Sequence, residues 1–212
     1  MSILDRSALA KRRRDRASGQ ALVEFTVVLP VFMLLLMGMM EFGFAFSDRL
    51  TLGNASREGA RVGASLATGS TTACSGDPAG VDTSIVAAMQ FILKSGGSDV
   101  DLSHINKITI FKANSTGGQV GGSANTWIYT PGSGPDADTG PGVERLDFSP
   151  SSTNWAACTR NNGSSPDSIG VSITYQYALQ TPLVALVSLL GGSQSSTITF
   201  TDATVMALNP TN

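Results

Sequence analysis

"RRRDRASGQALVEFTVVLPVFMLLLMGMMEF" (Arg12–Phe42) passes from dense positive charge directly into an almost uncharged apolar run. From Phe25 to Met40 sixteen consecutive residues carry no charge, and Val, Leu, Phe and Met dominate them. As a helix rising about 1.5 Å per residue, that run covers about 24 Å. The hydrocarbon layer of a bilayer is roughly 30 Å thick. Adding "EFGFAF" (Glu41–Phe46) lengthens the stretch enough to span. Glu24 and Glu41 then stand about 26 Å apart along the axis, near opposite boundaries. Neither carboxylate has to reach the midplane, and a long amino-terminal helix becomes the element on which the rest of the fold is built.

The charge distribution sets an orientation. The formal net charge of −2 hides an asymmetry, because residues 1–19 carry six basic and two acidic side chains. Positive charge beside an apolar span stays on the cytoplasmic side, so the body beyond it is expected to cross. After the span Asp48 and Arg49 nearly cancel. Beyond residue 19 acidic side chains outnumber basic ones, fourteen to eight, so the body would repel phosphate. The basic head is read as a topology signal, and nucleic acid is excluded as a partner. Pro30 removes one helical donor and is expected to bend the helix, which membrane helices tolerate.

Glu24 requires its own explanation, because a charge drawn toward the centre of lipid costs about 2.5–3.5 kcal/mol on insertion scales. One account lets it reach the headgroups beside Arg16 and the rest of the basic run. A second account places a cut between Gly19 and Gln20. The product would begin with a free amine at Gln20, and Glu24 would be its fifth residue, one helical turn away and near the positive end of the helix dipole. The same carboxylate could pair instead with the amine of a neighbouring subunit and so set the stagger between packed helices. A signal-peptidase cut after Ser47 competes with both, since Ala45 and Ser47 are suitably small. It would require an unusually long leader interrupted by Pro30.

"GQALVEFTVVLPVFMLLLMGMMEFG" together with "NASREGARVGA" (Asn54–Ala64) resembles the TadE-like family, minor pilins or pseudopilins of the tight-adherence (Flp) pilus and secretion system. The resemblance covers about residues 17–66 and the rest of the chain only in layout and size. It implies a type IV pilin-like arrangement in which Gly19 precedes the bond cut by a prepilin peptidase and Gln20 opens the mature chain. Glu24 would be the recognition and assembly carboxylate. Phe25 stands where related Flp major pilins often have Tyr and cannot donate a phenolic hydrogen bond. Pro30, Glu41 and the "REGAR" group (Arg57, Glu58, Gly59, Ala60 and Arg61) match the family beyond its leader. The implied partners are the inner membrane, the prepilin peptidase, platform proteins of the pilus or secretion system, and other pilin-like subunits.

Beyond the span, Leu52, Ala55, Gly59, Val62 and Leu66 recur at helical spacing and draw a small-to-apolar stripe. Glu58 and Arg61, three apart, can pair for a few tenths of a kcal/mol, on the order of an exposed helical ion pair. The small residues permit close approach to the chain's own domain or to a neighbouring subunit. "ATGSTTACSGDPAG" (Ala67–Gly80) reads as a turn-rich linker. "VDTSIVAAMQFILKSGG" (Val81–Gly97) reads as a short helix capped by Asp82 or Thr83, with Ile85, Ala88, Met89 and Ile92 inward and Gly96 as its stop.

Strands are expected at Ile105–Asn114, Asn125–Thr130, Ile169–Leu179 and Ser196–Leu208. The clearest is "IGVSITYQYAL", where Val171, Ile173, Tyr175 and Tyr177 alternate with polar residues. Pro131–Ser168 reads as irregular. "TPLVALVSLLGG" (Thr181–Gly192) is apolar but too short to span again, and reads as a short helix with Pro182 at its start. It could dock on lipid or on another subunit, although burial in the core is the ordinary reading. The expected fold is α+β: a long helix, then a small pilin-like domain with antiparallel strands. The expected divisions are a basic leader at 1–19, a transmembrane helix at 20–47, an amphipathic continuation at 48–67, and an extracytoplasmic glycine-rich domain at 68–212.

Two cysteines, Cys74 and Cys158, fit neither a redox pair nor a zinc cluster. In an oxidising compartment a disulfide between them would close a loop of about 85 residues, worth roughly 4–5 kcal/mol by the loop-entropy account. Two separate buried thiols are the alternative. No catalytic constellation emerges. His104 is the single histidine, and no nucleophile elbow, zinc helix or phosphate loop is present. "DADTG" (Asp136–Gly140) begins like a calcium loop, but Gly140 and Pro141 spoil it. Asp99 and Asp101 near a turn read as solvated. The Asn-x-Ser/Thr matches at Asn54, Asn114 and Asn162 carry no weight in so polar a chain. The chain is therefore read as a non-enzyme without a cofactor that supports pilus or secretion-machine assembly. The reading of another class is a membrane-anchored or secreted binding or hydrolytic domain unrelated to pili.

Overall fold

A computed structural model describes residues 4–66, 78–95, 100–136, 145–163, 165–182, 185, 188, 191–192 and 196–208, with backbone only for residues 4–18 and 78–79. The fold is α+β. A 63-residue helix α1 (Leu4–Leu66) is followed by α2 (Pro78–Lys94) and strands β1 (Ile105–Ala113), β2 (Gln119–Tyr129), β3 (Phe148–Thr153), β4 (Ser168–Ala178) and β5 (Thr197–Ala207). Single 3-10 turns precede β1 at Leu102–His104 and β4 at Ala157–Thr159.

The chain divides into two compact units, Met1–Gly43 with Leu179–Ser196, and Phe44–Ala178 with Thr197–Asn212. In the second, the strands form one antiparallel sheet in the order β3-β2-β1-β4-β5. The register sets Ile108 opposite Trp127 and Ile173, and Ile110 opposite Val171. This places one continuous apolar row across the three central strands, and all five residues are buried. Fully burying a side chain of that size contributes about 1.5–3 kcal/mol.

Residues 44–66 of α1 and helix α2 cover that face. Leu52, Ala55 and Ala60 of α1 are buried, as are Ile85, Val86, Met89 and Leu93 of α2. Glycine makes the approach possible. A Cβ on Gly59 would lie 2.7 Å from Met89, and one on Gly63 would lie 2.7 Å from Ile169 and 2.9 Å from Ile85. α2 opens on Pro78, whose missing N–H is no loss in a first turn. It closes on Lys94, a cation at the negative end of the dipole.

Three expectations change. Pro131–Ser168 is not wholly irregular, because β3 pairs with β2 from Phe148 to Thr153. This strand is an edge and contains Pro150, which lacks the donor that an inner strand would need. The glycine-rich stretch before Asn125 belongs to β2, which starts at Gln119. Asn114 Oδ1 accepts from the N–H groups of Thr116 and Gly118, and Gly117 takes φ 82°, which closes a tight turn there. Asp82 and Thr83 do not cap α2 but lie inside it and are buried, the Asp82 carboxylate directed into the core. Residues 67–77, Cys74 among them, and residues 96–99 fall outside the described residues. So does most of the apolar run in Thr181–Gly192, where Ala185 and Ser188 are helical.

Candidate functional site

In the first unit, α1 presents an apolar surface that no described residue covers. Leu22, Phe25, Val27, Val28, Val31, Phe32, Leu35, Met39 and Met40 are all exposed, from 52% to 70%. The helix is long and apolar enough to cross a membrane, with mean hydropathy 2.3 over its most apolar window and none of that window buried. Thr26 donates its hydroxyl to the Leu22 carbonyl at 2.8 Å, so even this polar side chain is satisfied within the helix.

The two carboxylates at the ends of this surface differ completely. Glu24 is exposed and accepts from Gln20 Nε2 at 3.1 Å, one helical turn back. Gly19 has open space around it. Phe25 beside Glu24 is 63% exposed. Glu41, by contrast, is only 4% exposed on a helix whose neighbours Met40 and Phe42 are 57% and 73% exposed. Its Oε1 accepts from the Gln180 N–H at 2.9 Å, and its Oε2 accepts from the Thr181 N–H at 2.8 Å. The Thr181 hydroxyl donates to the same Oε2 at 2.5 Å. The connection between β4 and β5 therefore begins on Glu41.

The "REGAR" group lies in the second unit and splits by face. Gly59 and Ala60 are buried, Glu58 is half-buried, and Arg57 and Arg61 are exposed. Arg61 grips Glu58 through Nε to Oε2 at 2.9 Å and Nη2 to Oε1 at 2.5 Å. That hydrogen-bonded guanidinium holds the Glu58 carboxyl below its ordinary range.

The exposed apolar rod, the carboxylate near its start and this split helical motif all lie on α1. Residues 19–61 match the family described as TadE-like protein. Over that stretch, about a fifth of the chain, the chain is similar to the TadE-like family. No curated protein and no solved structure matches the chain. The TadE-like stretch thus contains the rod, both carboxylates and the whole of "REGAR", while the sheet lies beyond it.

Several polar contacts that periodicity alone does not reveal pin the second unit together. Asp48 of α1 is 1% exposed and accepts from the Tyr175 hydroxyl at 3.2 Å. Ser56 donates to Asp202 Oδ1 at 3.0 Å and lies 2.9 Å from the Thr204 hydroxyl. Both α1 residues sit on the stripe of Leu52, Ala55, Gly59 and Gly63. A polar residue recurring on a stripe of small and apolar ones is the signal that could have found them. Asp82 receives Arg160 Nη2 at 2.5 Å and Asn125 Nδ2 at 2.5 Å, all three buried. Arg160 also stacks on Trp155, 4.6 Å from the ring centre. Its Nε and Nη1 are buried without a hydrogen-bond partner among the described residues.

Cys158 is disulfide-bonded. His104 sits in the 3-10 turn with its ring 6.2 Å from that of Tyr175. Asp101 caps that turn by accepting from Ser103 N–H at 2.9 Å. Asp136 pairs with Arg145, Oδ1 to Nε at 3.2 Å. Among the described residues no group of three or more His, Cys, Asp or Glu could hold a metal ion. Asp99 and Asp138 lie outside the described residues.

Proposed function

We propose that this chain is a minor pilin or pseudopilin that supports assembly of a tight-adherence type pilus or secretion apparatus. The observation that carries the reading is the bare apolar surface of α1 opening on Glu24, inside the residues that match the TadE-like family. The rod inserts in the inner membrane with its basic end in the cytoplasm and its sheet domain outside. A prepilin peptidase cuts between Gly19 and Gln20. Glu24, exposed and held among the described residues by one residue of its own turn, exchanges Gln20 for the new amine of a neighbouring subunit. Platform proteins and other pilin-like subunits dock along the apolar rod. Glu41 serves assembly through the segment it holds, and Arg57, Glu58 and Arg61 present the charged face of the motif. In this oxidising location Cys158 is paired with Cys74. The work is non-covalent throughout.

The intact mass and amino-terminal sequence of the membrane-extracted protein test the reading. A product beginning at Gln20 supports it. A soluble product beginning at Asp48 would replace it with a secreted domain. Exchanging residues 20–40 for an unrelated membrane anchor is expected to abolish assembly while the sheet domain still folds.

A further inference from the structure

β5 is an edge strand, and beside it α1 leaves a cleft of about 240 Å³ lined by Arg49, Leu52, Thr199, Phe200, Thr201 and Asp202. Every lining residue belongs to the second unit. The volume is below the roughly 300–1,000 Å³ of sites for drug-sized ligands, so the cleft suits a small group. It holds one charge of each sign. Among the described residues neither Arg49 nor Asp202 enters an ion pair, with the other or with a third group. A guanidinium and a carboxylate that line one cleft without joining leave both charges to a ligand. From this arrangement we infer that the cleft binds the zwitterionic headgroup of phosphatidylethanolamine, with the phosphate on Arg49 and the ammonium on Asp202.

The neighbours of each charge keep it available. Asp48, next to Arg49 in the chain, is buried and accepts from the Tyr175 hydroxyl, while Arg49 is exposed. Asp202 turns Oδ1 to the Ser56 hydroxyl at 3.0 Å. Its Oδ2 lies nearest Gly53, 3.6 Å from where a Cβ would stand, and glycine puts no side chain over it. A guanidinium offers a phosphate two parallel N–H donors. Thr199 and Thr201, both exposed on one side of β5, add hydroxyls. Leu52 and Phe200 give the two methylenes between phosphate and ammonium an apolar wall.

The position on α1 points to a lipid as the source of this headgroup. Arg49 comes three residues after Phe46, the end of the apolar stretch, or about 4.5 Å further along the helix. The headgroup layer adds roughly 5–7 Å on each side of the hydrocarbon. Apolar side chains of the second unit also stand bare around the cleft. Phe46 is 51% exposed, Leu50 54%, and Ile198, two before Phe200 on the same side of β5, 44%. The charges select among headgroups. Phosphatidylglycerol carries no cation for Asp202, and the trimethylammonium of phosphatidylcholine has no N–H to donate. The ethanolamine ammonium has three such donors, like that of a lysine.

The inference rests on the membrane insertion of α1, and the experiment separates the two. The full chain is released into native mass spectrometry from mixed micelles holding equal amounts of phosphatidylethanolamine, phosphatidylcholine and phosphatidylglycerol with the same acyl chains. Phosphatidylethanolamine is expected to be retained over each of the others by about tenfold, the effect of one charge-assisted hydrogen bond. Asp202→Asn, which keeps an oxygen for Ser56, should erase the preference over phosphatidylcholine. Arg49→Gln should lower the retention of all three. Equal retention of the three lipids overturns the inference. An unchanged preference in both variants overturns it too, since the lipid then sits elsewhere. Glycerophosphoethanolamine added from water is expected to compete only in large excess; displacement at equal concentration would assign the cleft to a soluble zwitterion and overturn the lipid. Insertion is read separately, in vesicles of the same lipids, from a polarity-sensitive fluorophore at Leu35→Cys. A label open to aqueous iodide overturns the insertion of α1, whereas a shielded label without lipid preference overturns the headgroup site alone.

Discussion

The Tyr175 hydroxyl donates to Asp48 Oδ2 at 3.2 Å, joining α1 to β4 across 127 residues of chain. The bond is buried, and burial followed by the neighbouring Asp48 charge pushes the Tyr175 hydroxyl well above its ordinary value of 10.0. The folded state therefore holds the phenolic proton more tightly than the unfolded state does. Stability from this group is fully present below about pH 10 and falls as pH rises above it. Denaturant melts of the detergent-solubilised protein at rising alkaline pH are expected to show this loss, and Tyr175→Phe should flatten it. At neutral pH the same variant should cost about 1.5–3 kcal/mol, the range for a hydrogen bond to a charged group. An equal alkaline slope in wild type and variant would discard Tyr175 as its origin.

At Gly63 a Cβ would meet two branched side chains at once, Ile169 at 2.7 Å and Ile85 at 2.9 Å. Gly63→Leu should destabilise the second unit by about 1–3 kcal/mol through overpacking. Gly59→Ala should cost less, since the atoms it meets at 2.7 Å belong to the flexible end of Met89. Thermal melts of the two variants order these costs, and a larger loss at Gly59 would contradict the packing described.

Arg160 and Asp82 form a fully buried ion pair, with side chains 0% and 3% exposed. Removing one member leaves the other charge uncompensated, so Asp82→Ala should cost about 3–5 kcal/mol. Arg160 Nε and Nη1 already lack partners among the described residues. The double variant Asp82→Leu with Arg160→Met should therefore lose less than Asp82→Ala alone, and urea unfolding of the three proteins measures the difference. A double variant weaker than the single one would show that the pair itself supplies net stability.

The elements legible in the sequence are those whose pattern is local. The stripe begun by Leu52, Ala55 and Gly59 runs on through Gly63 rather than through the half-buried Val62 and the exposed Leu66. Even so, that stripe, the apolar rod and the alternation of Val171 through Tyr177 each announce their structure within a few residues. β3 does not, because Ser149, Pro150, Ser151 and Ser152 form an edge strand through backbone pairing, with only Phe148 buried. The start of β2 is hidden for a related reason: Gly121 and Gly122 carry no side chains to alternate. Asp82 resembles a helix cap in the sequence because Arg160, its partner, is 78 residues away. Distance in sequence also conceals the partners of Glu41, which lie 139 and 140 residues on. Glu24 stands out in the sequence through its spacing from Gly19 and the apolar run, both close beside it.

That spacing yields the prediction on which the assembly reading turns. Glu24 is exposed on α1 and, among the described residues, bonded to Gln20 alone, so its removal leaves the fold without a buried orphan. Replacing it also removes a charge from the lipid boundary, which makes insertion easier rather than harder. Glu24→Ala should accordingly insert in the inner membrane at the wild-type level and melt at the wild-type temperature. Its loss should be in association, because a neighbouring amine would face lipid without a counter-charge. Co-purification of pilin-like subunits with the full chain after mild cross-linking reads that loss. Glu24→Asp, which keeps the charge on a shorter stem, should recover part of it. Complexes of undiminished yield in Glu24→Ala would leave the carboxylate with no part in holding subunits together.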